Sequence, residues 1–380
     1  MSKNLSRRRA LPAIAALFAA ASQPRVFAAA ASFPASTSLA LEPVPKGEAL
    51  RAAFVYVTPI TATGWTAQHE AGRLEMEGAL GDRVASHAVA NVPEGPDAER
   101  VIRDLARQGN QLIVTTSFGY MEPTLKVARE FPHTVFEHCS GYKMAPNMGV
   151  YNGRFYQGRY LAGMLAGRMS GTGIAGMVAA FPIPEVIQGI NAFTLGMRAV
   201  NPRARMKVVW VGTWYDPGRE LDAARVLIGQ GADVLTHHTN SPAAVQAAAG
   251  AGRYAIGYCS NEARYGPKAQ LAAVTLHWGK FYTDTARRVL DGGWAPRNVW
   301  GGMGQGFVRF GDFSSAVPQD VLRQVKAKQS EIDAGRFHPF SGRIADNRGA
   351  VRQAGGVMDD ATLQGMNWLV EGVDSDLPRA

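Results

Sequence analysis

From residue 50 onwards, short apolar runs alternate with segments whose apolar positions recur at helical spacing. Apolar runs of about four to eight residues between turn residues are typical of buried strands, and recurrence at every third or fourth position is typical of helices. Strands alternating with helices require right-handed crossovers and a parallel sheet covered on both faces. The first half of the chain predicts strands at Arg51–Val57, Asp82–Val92, Gln111–Thr115 and His133–His138, with helices at Trp65–Ala79, Asp97–Gln108 and Pro123–Glu130.

The same alternation then repeats, which predicts a second sheet. The predicted helices are Phe155–Met169, Glu185–Val200, Asp216–Gln230, Ser241–Ala249, Lys280–Asp291 and Pro318–Ala334, and the predicted strands are Ile174–Ala180, Lys207–Gly212, Asp233–His238, Tyr254–Cys259 and Leu271–Leu276. The tail beyond them has weak periodicity and predicts no more than an edge strand. We therefore predict an α/β fold of two Rossmann-like lobes joined by a hinge. Lobe 1 is expected over 49–152 plus 275–302, and lobe 2 over 153–274 plus 303–380.

The N-terminus has the pattern of an export signal. A basic cluster at Arg7–Arg9 precedes the apolar run Ala10–Ala21 and then the small residues Ala28–Ala30. That run has about 12 residues, too few to span a bilayer. We predict a signal peptide over 1–30, of the twin-arginine or the general type, and a flexible spacer over 31–48. No Cys lies near the cleavage site, so the protein is expected in the periplasm without a lipid anchor.

Charge and cysteine content exclude several classes of function. Five of the nine net positive charges lie in residues 1–29, which contain no acid, so the remainder carries only +4. The other basic residues are interspersed with acids, which argues against nucleic-acid binding. Cys139 and Cys259 are the two cysteines, and export would permit a disulfide, although two buried thiols are the simpler expectation. No Cys or His pair has metal-ligand spacing, and His237 and His238 point to opposite faces of one strand. We expect neither a metal nor a cofactor.

Aromatic and amide residues are concentrated where the predicted strands end. Ligands of such sheets bind at the carboxyl ends of the strands, and interfaces between domains are preferred sites. Aromatic faces would stack on a planar heterocycle, each worth about 1–3 kcal/mol, although the same rings could instead fill the lobe cores. The candidate ligand-binding residues are Trp65, Phe118, Tyr120, Trp214, Asn240, Asn261, His277, Trp278 and Trp300.

Catalytic motifs are not evident. The chain has no nucleophile elbow, P-loop or zinc-protease motif. Glu137 and His138 could form an acid–base pair, but neighbours on a strand point apart. Asp216, before Pro217, is expected to cap a helix. The glycine-rich Gly301–Gly306 precedes a strand-like run, which favours a hinge or crossover over a phosphate loop.

Several stretches resemble, in order and spacing, the basic-membrane-protein family of ABC-transporter substrate-binding proteins, whose type member is the purine nucleoside receptor A. The resemblance covers about residues 50–378 and implies the two-lobed type I periplasmic-binding-protein fold. Its partners would be a small purine ligand and the permease subunits of an ABC importer, the receptor itself being a monomer. The matching stretches are Ile60–His69, Thr115–Glu122, Tyr151–Gly163, Pro182–Pro202, Val211–Gly231, Ile256–Asn261 and Trp300–Gly306.

The resemblance also implies roles for individual residues. Trp65 and Trp214 stand where the family stacks aromatic rings on the base, and Asn240 and Asn261 stand in loops that line its pocket. Cys259 replaces an acid that would hold ribose hydroxyls, so charge-assisted hydrogen bonds to a sugar are lost. His277-Trp278 stands near the expected place of a family Lys, and the indole of Trp278 would fill space that a sugar needs.

We therefore expect a free base such as adenine, hypoxanthine or guanine to be preferred over a nucleoside. A nucleoside receptor of the same family and a ligand sensor for a membrane partner remain open alternatives. The remote alternative is an enzyme, a nucleoside hydrolase; the leading expectation is that the protein is not an enzyme.

Overall fold

The computed structural model describes residues 41–378, which form two α/β lobes around two six-stranded sheets. The predicted two-lobed α/β fold is confirmed. Residues 1–40, which include the predicted signal peptide and most of the predicted spacer, lie outside the described residues. The first sheet has the order β2-β1-β3-β4-β5-β11, all parallel. Its strands are β1 (Leu50–Val55), β2 (Val84–Val89), β3 (Leu112–Thr115), β4 (Val135–Cys139), β5 (Met148–Gly153) and β11 (Asn298–Gly301).

The second sheet repeats this plan in the order β7-β6-β8-β9-β10-β12. Five of its strands run parallel, and only β12, at the edge, runs antiparallel to β10. Because its main strands are parallel, their carboxyl ends share one edge of the sheet, as they do in the first sheet. The strands are β6 (Ile174–Ala179), β7 (Arg205–Trp210), β8 (Val234–His238), β9 (Tyr254–Cys259), β10 (Gln270–Leu276) and β12 (Val308–Gly311).

Helices cover both faces of each sheet, as a parallel sheet requires. In lobe 1 the helices are α1 (Trp65–Leu80), α2 (Pro96–Arg107), α3 (Met121–Glu130) and α8 (Gly279–Leu290). In lobe 2 they are α4 (Phe155–Met169), α5 (Pro184–Val200), α6 (Pro217–Gly229), α7 (Ala243–Gly250) and α9 (Gln319–Asp333). Most lie within one or two residues of the predicted bounds.

The alternation of side chains along β1 shows how each sheet is filled. Phe54 packs in the cluster that contains α1 and α8, whereas Ala53 and Val55 pack against α2 and α3. In lobe 2, Met177 faces α4 and α5, and Val178 faces α6 and α7. The central strands β3, β4 and β8 are thus buried at every position, whereas β2, β7 and β11 are partly exposed.

The chain passes between the lobes three times, after β5, after β10 and after β11. Aromatic rings pack at these crossings: Trp278 meets Phe155 at a centroid distance of 6.1 Å and Phe307 at 5.9 Å. The residues Gly301–Gly306 lie in the third crossing, which confirms their interpretation as a crossover. One apolar cluster therefore runs through the hinge and joins the cores of the two lobes.

Two strands of the six-stranded sheets were not predicted, β5 and β11. The sequence of β5 contains two Gly and one Asn, which are depleted in strands, and β11 has only 4 residues. Trp300, expected in a loop, therefore lies in an edge strand. The tail adds the short hairpin β13 (Ile344–Ala345) and β14 (Val351–Gln353), the helix α10 (Asp360–Gln364), and a parallel bridge between Met206 and Val373 at the edge of the second sheet.

No helix within residues 41–378 is long and apolar enough to cross a membrane. In the same part of the chain, no group of three or more His, Cys, Asp and Glu side chains is arranged to hold a metal ion. Cys139 and Cys259 are both buried free thiols.

Candidate functional site

A cavity lies between the lobes, at the carboxyl ends of the strands of both sheets. It encloses about 440 Å³ of empty space, part of it open to solvent. Lobe 1 supplies Val57, Thr58, Trp65, Thr116, Ser117, Phe118 and Ser140, and lobe 2 supplies Ile183, Glu185, Trp214, His238, Thr239, Asn240, Tyr258 and Cys259.

Trp65 is the first residue of α1 and one wall of the cavity. Its indole N–H donates to the backbone oxygen of Thr116 at 2.7 Å. The ring also packs edge-on against His69 and Trp278, at centroid distances of 4.6 Å and 5.8 Å. These contacts fix the orientation of the ring, so one aromatic surface is in place without a ligand.

Trp214 lines the same cavity from the loop after β7 in lobe 2. Its ring packs against Phe181 at 5.0 Å. Its buried indole N–H has no hydrogen-bond partner among residues 41–378. An unpaired buried donor is costly, and an acceptor supplied by a ligand would offset that cost.

Asn240 lines the cavity, but much of its amide is already engaged. Its Oδ1 accepts from the backbone N–H of Thr66 at 3.1 Å, and its Nδ2 lies 3.5 Å from Thr61 Oγ1. Both partners belong to lobe 1, so Asn240 joins the two lobes. One amide hydrogen remains for a ligand.

Three further aromatic or amide candidates lie outside this cavity because other contacts hold them. Tyr120 is fully buried in the core of lobe 1, where its hydroxyl donates to the Val92 oxygen at 2.5 Å. Trp278 is 1% exposed and stacked on His69, with centroids 4.9 Å apart. Trp300 packs under the Arg154 guanidinium at 4.4 Å and lines a neighbouring groove.

Asn261 and His277 also lie elsewhere, in an open groove at the hinge. Asn261 is exposed, and its side chain accepts from the Ala263 N–H at 3.0 Å and from Gln270 Nε2 at 2.8 Å. The structure therefore brings together Trp65, Phe118, Trp214 and Asn240 of the nine candidates.

Sequence reasoning missed the carboxylate of the cavity, Glu185. Asp216, by contrast, caps α6 as predicted, accepting from the Arg219 N–H at 3.0 Å. The signal that could have identified Glu185 is its place just after the carboxyl end of β6, the same criterion that selected the aromatic residues. The helical pattern by itself predicts only that Glu185 begins a helix.

His238, at the end of β8, forms part of the cavity floor. Burial lowers its pKa to about 4, so the imidazole is neutral near pH 7. Its ring meets that of Tyr258 at a centroid distance of 4.6 Å. The neighbouring His237 points away and binds Glu262 at 2.8 Å, as the strand alternation predicts.

The hydroxyl groups of the lining are largely engaged within the protein. Thr116 donates to the Val55 oxygen at 2.9 Å, Ser117 to Glu94 at 2.5 Å and Thr239 to Glu220 at 2.6 Å. Few of these hydroxyl donors are therefore left for a ligand. The cavity is suited to binding a small, partly aromatic molecule.

Comparisons with known proteins identify the family of the chain. The family described as "ABC transporter substrate-binding protein PnrA-like" matches residues 49–336. A purine-binding protein of Brucella abortus is 49% identical over 87% of this chain and 95% of its own length. A protein of Haloferax volcanii, named as a candidate ABC transporter glucose-binding protein, is 37% identical over 88% of this chain and 82% of its own.

Solved structures share the fold. The solute-binding protein of an ABC transporter system from Conexibacter woesei superposes with a TM-score of 0.63 at 23% identity, covering 76% of this chain and 98% of that one. One from Aeropyrum pernix gives a TM-score of 0.67 at 17% identity, covering 83% and 96%. The fold is therefore that of the type I solute-binding proteins, and the chain belongs to the PnrA-like family of ABC transporter substrate-binding proteins.

Proposed function

We propose that the protein captures a free purine base in the cavity between its lobes and delivers it to an ABC importer from the periplasm. One observation carries the proposal: Trp65 of lobe 1 and Trp214 of lobe 2 line the same cavity. Two indoles on opposite lobes would stack on a flat heterocycle, each worth about 1–3 kcal/mol. Closure of the lobes on the ligand gives the permease a shape to recognise.

Two arguments from the sequence favour a base over a nucleoside: Cys259 in place of an acid, and Trp278 in the space of a sugar. The structure supports the first and contradicts the second. Cys259 lines the cavity, so the position of the family acid offers only a thiol. Trp278 does not occupy sugar space, because it is packed in the hinge core. The engaged hydroxyls of the lining provide a further argument, since a ribose brings three hydroxyls that each require partners.

Binding measurements by calorimetry test the proposal. The panel is adenine, hypoxanthine and guanine, their three nucleosides, and glucose, which is included because of the name of the Haloferax relative. We expect a base to bind most tightly. Mass spectrometry of the molecule released from purified, denatured protein gives an independent reading. Release of a sugar, or binding of glucose alone, would overturn the purine proposal.

Two further parts of the proposal have separate tests. Fractionation with N-terminal sequencing of the mature protein is expected to place it in the periplasm, cleaved near residue 30 and without lipid. Light scattering is expected to give a monomer. Incubation with adenosine or inosine is expected to release no free base, and release at more than one equivalent would show a hydrolase instead.

A further inference from the structure

The charged side chain of the cavity is Glu185, the second residue of α5 in lobe 2. Two donors from lobe 1 reach it: Ser140 Oγ at 2.7 Å and Asn152 Nδ2 at 3.1 Å. Both donate to the same oxygen, Oε2. The carboxylate therefore joins the lobes through one of its two oxygens.

The other oxygen has spare capacity. Oε1 lies 3.5 Å from Nε2 of His238, a long contact with an imidazole that is neutral near pH 7. An ionised carboxylate has about four acceptor positions, and the amino end of α5 favours a negative charge at this place. No Lys or Arg is among the described residues that line the cavity. The lining itself therefore places no cation beside this carboxylate, although the buried guanidinium of Arg159 stacks on the lining residue Tyr258 at 3.4 Å.

A free purine carries one N–H on its imidazole ring, shared between two tautomers. In a nucleoside that ring has no N–H, because the sugar replaces the hydrogen. A carboxylate that accepts this N–H would make a charge-assisted hydrogen bond with the base and none with the nucleoside.

We propose that Glu185 is the residue that selects free bases over nucleosides, with Oε1 accepting the imidazole-ring N–H of the ligand. The inference rests on the proposed function, and it assigns the selection to one atom. A carboxylate in the lining also disfavours anions, so we expect nucleotides and purines that are anionic near neutral pH to bind more weakly than neutral bases.

Glu185→Gln is a well-defined variant for a test. Its side-chain oxygen can replace Oε2 and keep the bonds from Ser140 and Asn152, while its NH₂ group replaces Oε1. The substitution therefore changes the free position from an acceptor to a donor and preserves the link between the lobes. Thermal unfolding of the variant checks that the fold is retained.

The experiment measures adenine and 9-methyladenine, which lacks the ring N–H, against wild type and Glu185→Gln by calorimetry. With wild type we expect adenine to bind about 10- to 100-fold tighter than 9-methyladenine, the usual worth of a hydrogen bond to a charged group. The variant should lose about that factor for adenine and change less than about threefold for 9-methyladenine. 8-Methyladenine, which keeps the N–H and adds the same bulk to the ring, controls for steric effects and should resemble adenine.

Three outcomes would count against these ideas in different ways. Equal losses of affinity for adenine and 9-methyladenine in Glu185→Gln would show that Glu185 only links the lobes. Ser140→Ala, which removes one bond of that link, should then lower both affinities as well. Unchanged binding of adenine would likewise overturn the inference while leaving the proposed function intact. Failure of every purine to bind wild type would instead overturn the proposed function. If the variant does not fold, the affinities of wild type for adenine, 8-methyladenine and 9-methyladenine remain as the test. Equal affinity for adenine and 9-methyladenine would then overturn the inference.

Discussion

Asn240 of lobe 2 caps a helix of lobe 1: the backbone N–H of Thr66, in the first turn of α1, donates to Asn240 Oδ1 at 3.1 Å. Ser260, which follows β9 in lobe 2, acts in the same way: its Oγ accepts from the Gly64 N–H, just before α1, at 2.8 Å. Helix α1 has no cap from its own side chains. Its free N–H groups are therefore satisfied only when the lobes are closed, so closure gains hydrogen bonds that an open form must replace with water.

Gly64→Ala should hold the lobes apart. A Cβ at this position would lie 2.5 Å from the Asn240 backbone oxygen, closer than the two atoms can approach. We expect ligand affinity to fall at least about tenfold, because the ligand must then bind a form that closes poorly. Calorimetry gives the affinity, and small-angle scattering with ligand should show a larger radius of gyration than wild type.

Gly95→Ala is the matched control for that substitution. Gly95 precedes helix α2 with φ 94°, against 95° at Gly64, but a Cβ there meets nothing within 4 Å. Both variants carry the same backbone strain of a non-glycine residue at positive φ. Similar ligand affinities in the two variants would show that strain, rather than the approach of the lobes, explains the loss.

Trp65→Ala and Trp214→Ala should both weaken ligand binding by about 1–3 kcal/mol, with different effects on stability. Trp65 is tied by its bond to Thr116 and by several ring contacts, so its truncation should also lower the free energy of unfolding by about 3 kcal/mol. Trp214 makes fewer such contacts, so its truncation should lower the free energy of unfolding by less than about 1 kcal/mol.

Calorimetry and chemical denaturation separate these two effects. Trp210→Ala, outside the cavity, removes an indole that donates to the Asp376 oxygen and should leave ligand affinity unchanged. Normal affinity in both Trp65→Ala and Trp214→Ala would show that the stacking site is wrong.

The stability of lobe 1 should decrease as pH rises from about 5 to 8. Burial raises the pKa of Glu137 to about 7, although the Trp294 indole donates to its carboxyl group at 2.8 Å. A carboxyl whose folded pKa exceeds its unfolded value stabilises the fold below the unfolded pKa, and that stabilisation is lost as pH passes the folded pKa. The loss is at most about 3 kcal/mol.

Glu137→Gln isolates this contribution, since an amide can still accept from Trp294 and does not titrate. Urea denaturation at several pH values should show the difference between wild type and variant changing with pH in the expected direction. A constant difference from pH 5 to 8 would refute a raised pKa at Glu137.

Ligand should protect Cys259 from alkylation. Burial raises the pKa of both thiols, which keeps them protonated and slow to react. Cys259 lines the cavity, whereas Cys139 is fully buried and is not part of the lining. Opening of the lobes should expose Cys259 alone, so peptide mapping after treatment with iodoacetamide should find it modified more slowly when ligand is present. The same protection at Cys139 would indicate a general stabilisation instead.

Most of the fold could be predicted because its elements are encoded locally. Helix α4 was predicted with the bounds Phe155–Met169 that it has, since its apolar residues recur at helical spacing. Strand β9, buried on both faces, was equally clear. Strands β5 and β11 were missed because their pairing in the first sheet, rather than their composition, makes them strands.

The candidate site was only partly predictable. The rule that ligands bind at the carboxyl ends of strands identified Trp65 and Trp214, and both line the cavity. The same rule named Tyr120 and Trp278, which the structure buries in the cores. A position in a loop after a strand predicts that a ring lies near the carboxyl end of a sheet. It does not predict whether the ring faces the cavity or packs in the core.

The sequence alone therefore determined the two-lobed fold, the family, and the positions from which ligand-binding side chains could come, because these depend on periodicity and on local order along the chain. Tertiary structure decided which of those side chains share a cavity. Glu185, Ser140 and Asn240 act across the gap between lobes, with partners from 33 to 174 residues away in sequence. Such contacts form only when the carboxyl ends of the two sheets face each other, so no local sequence pattern predicts them.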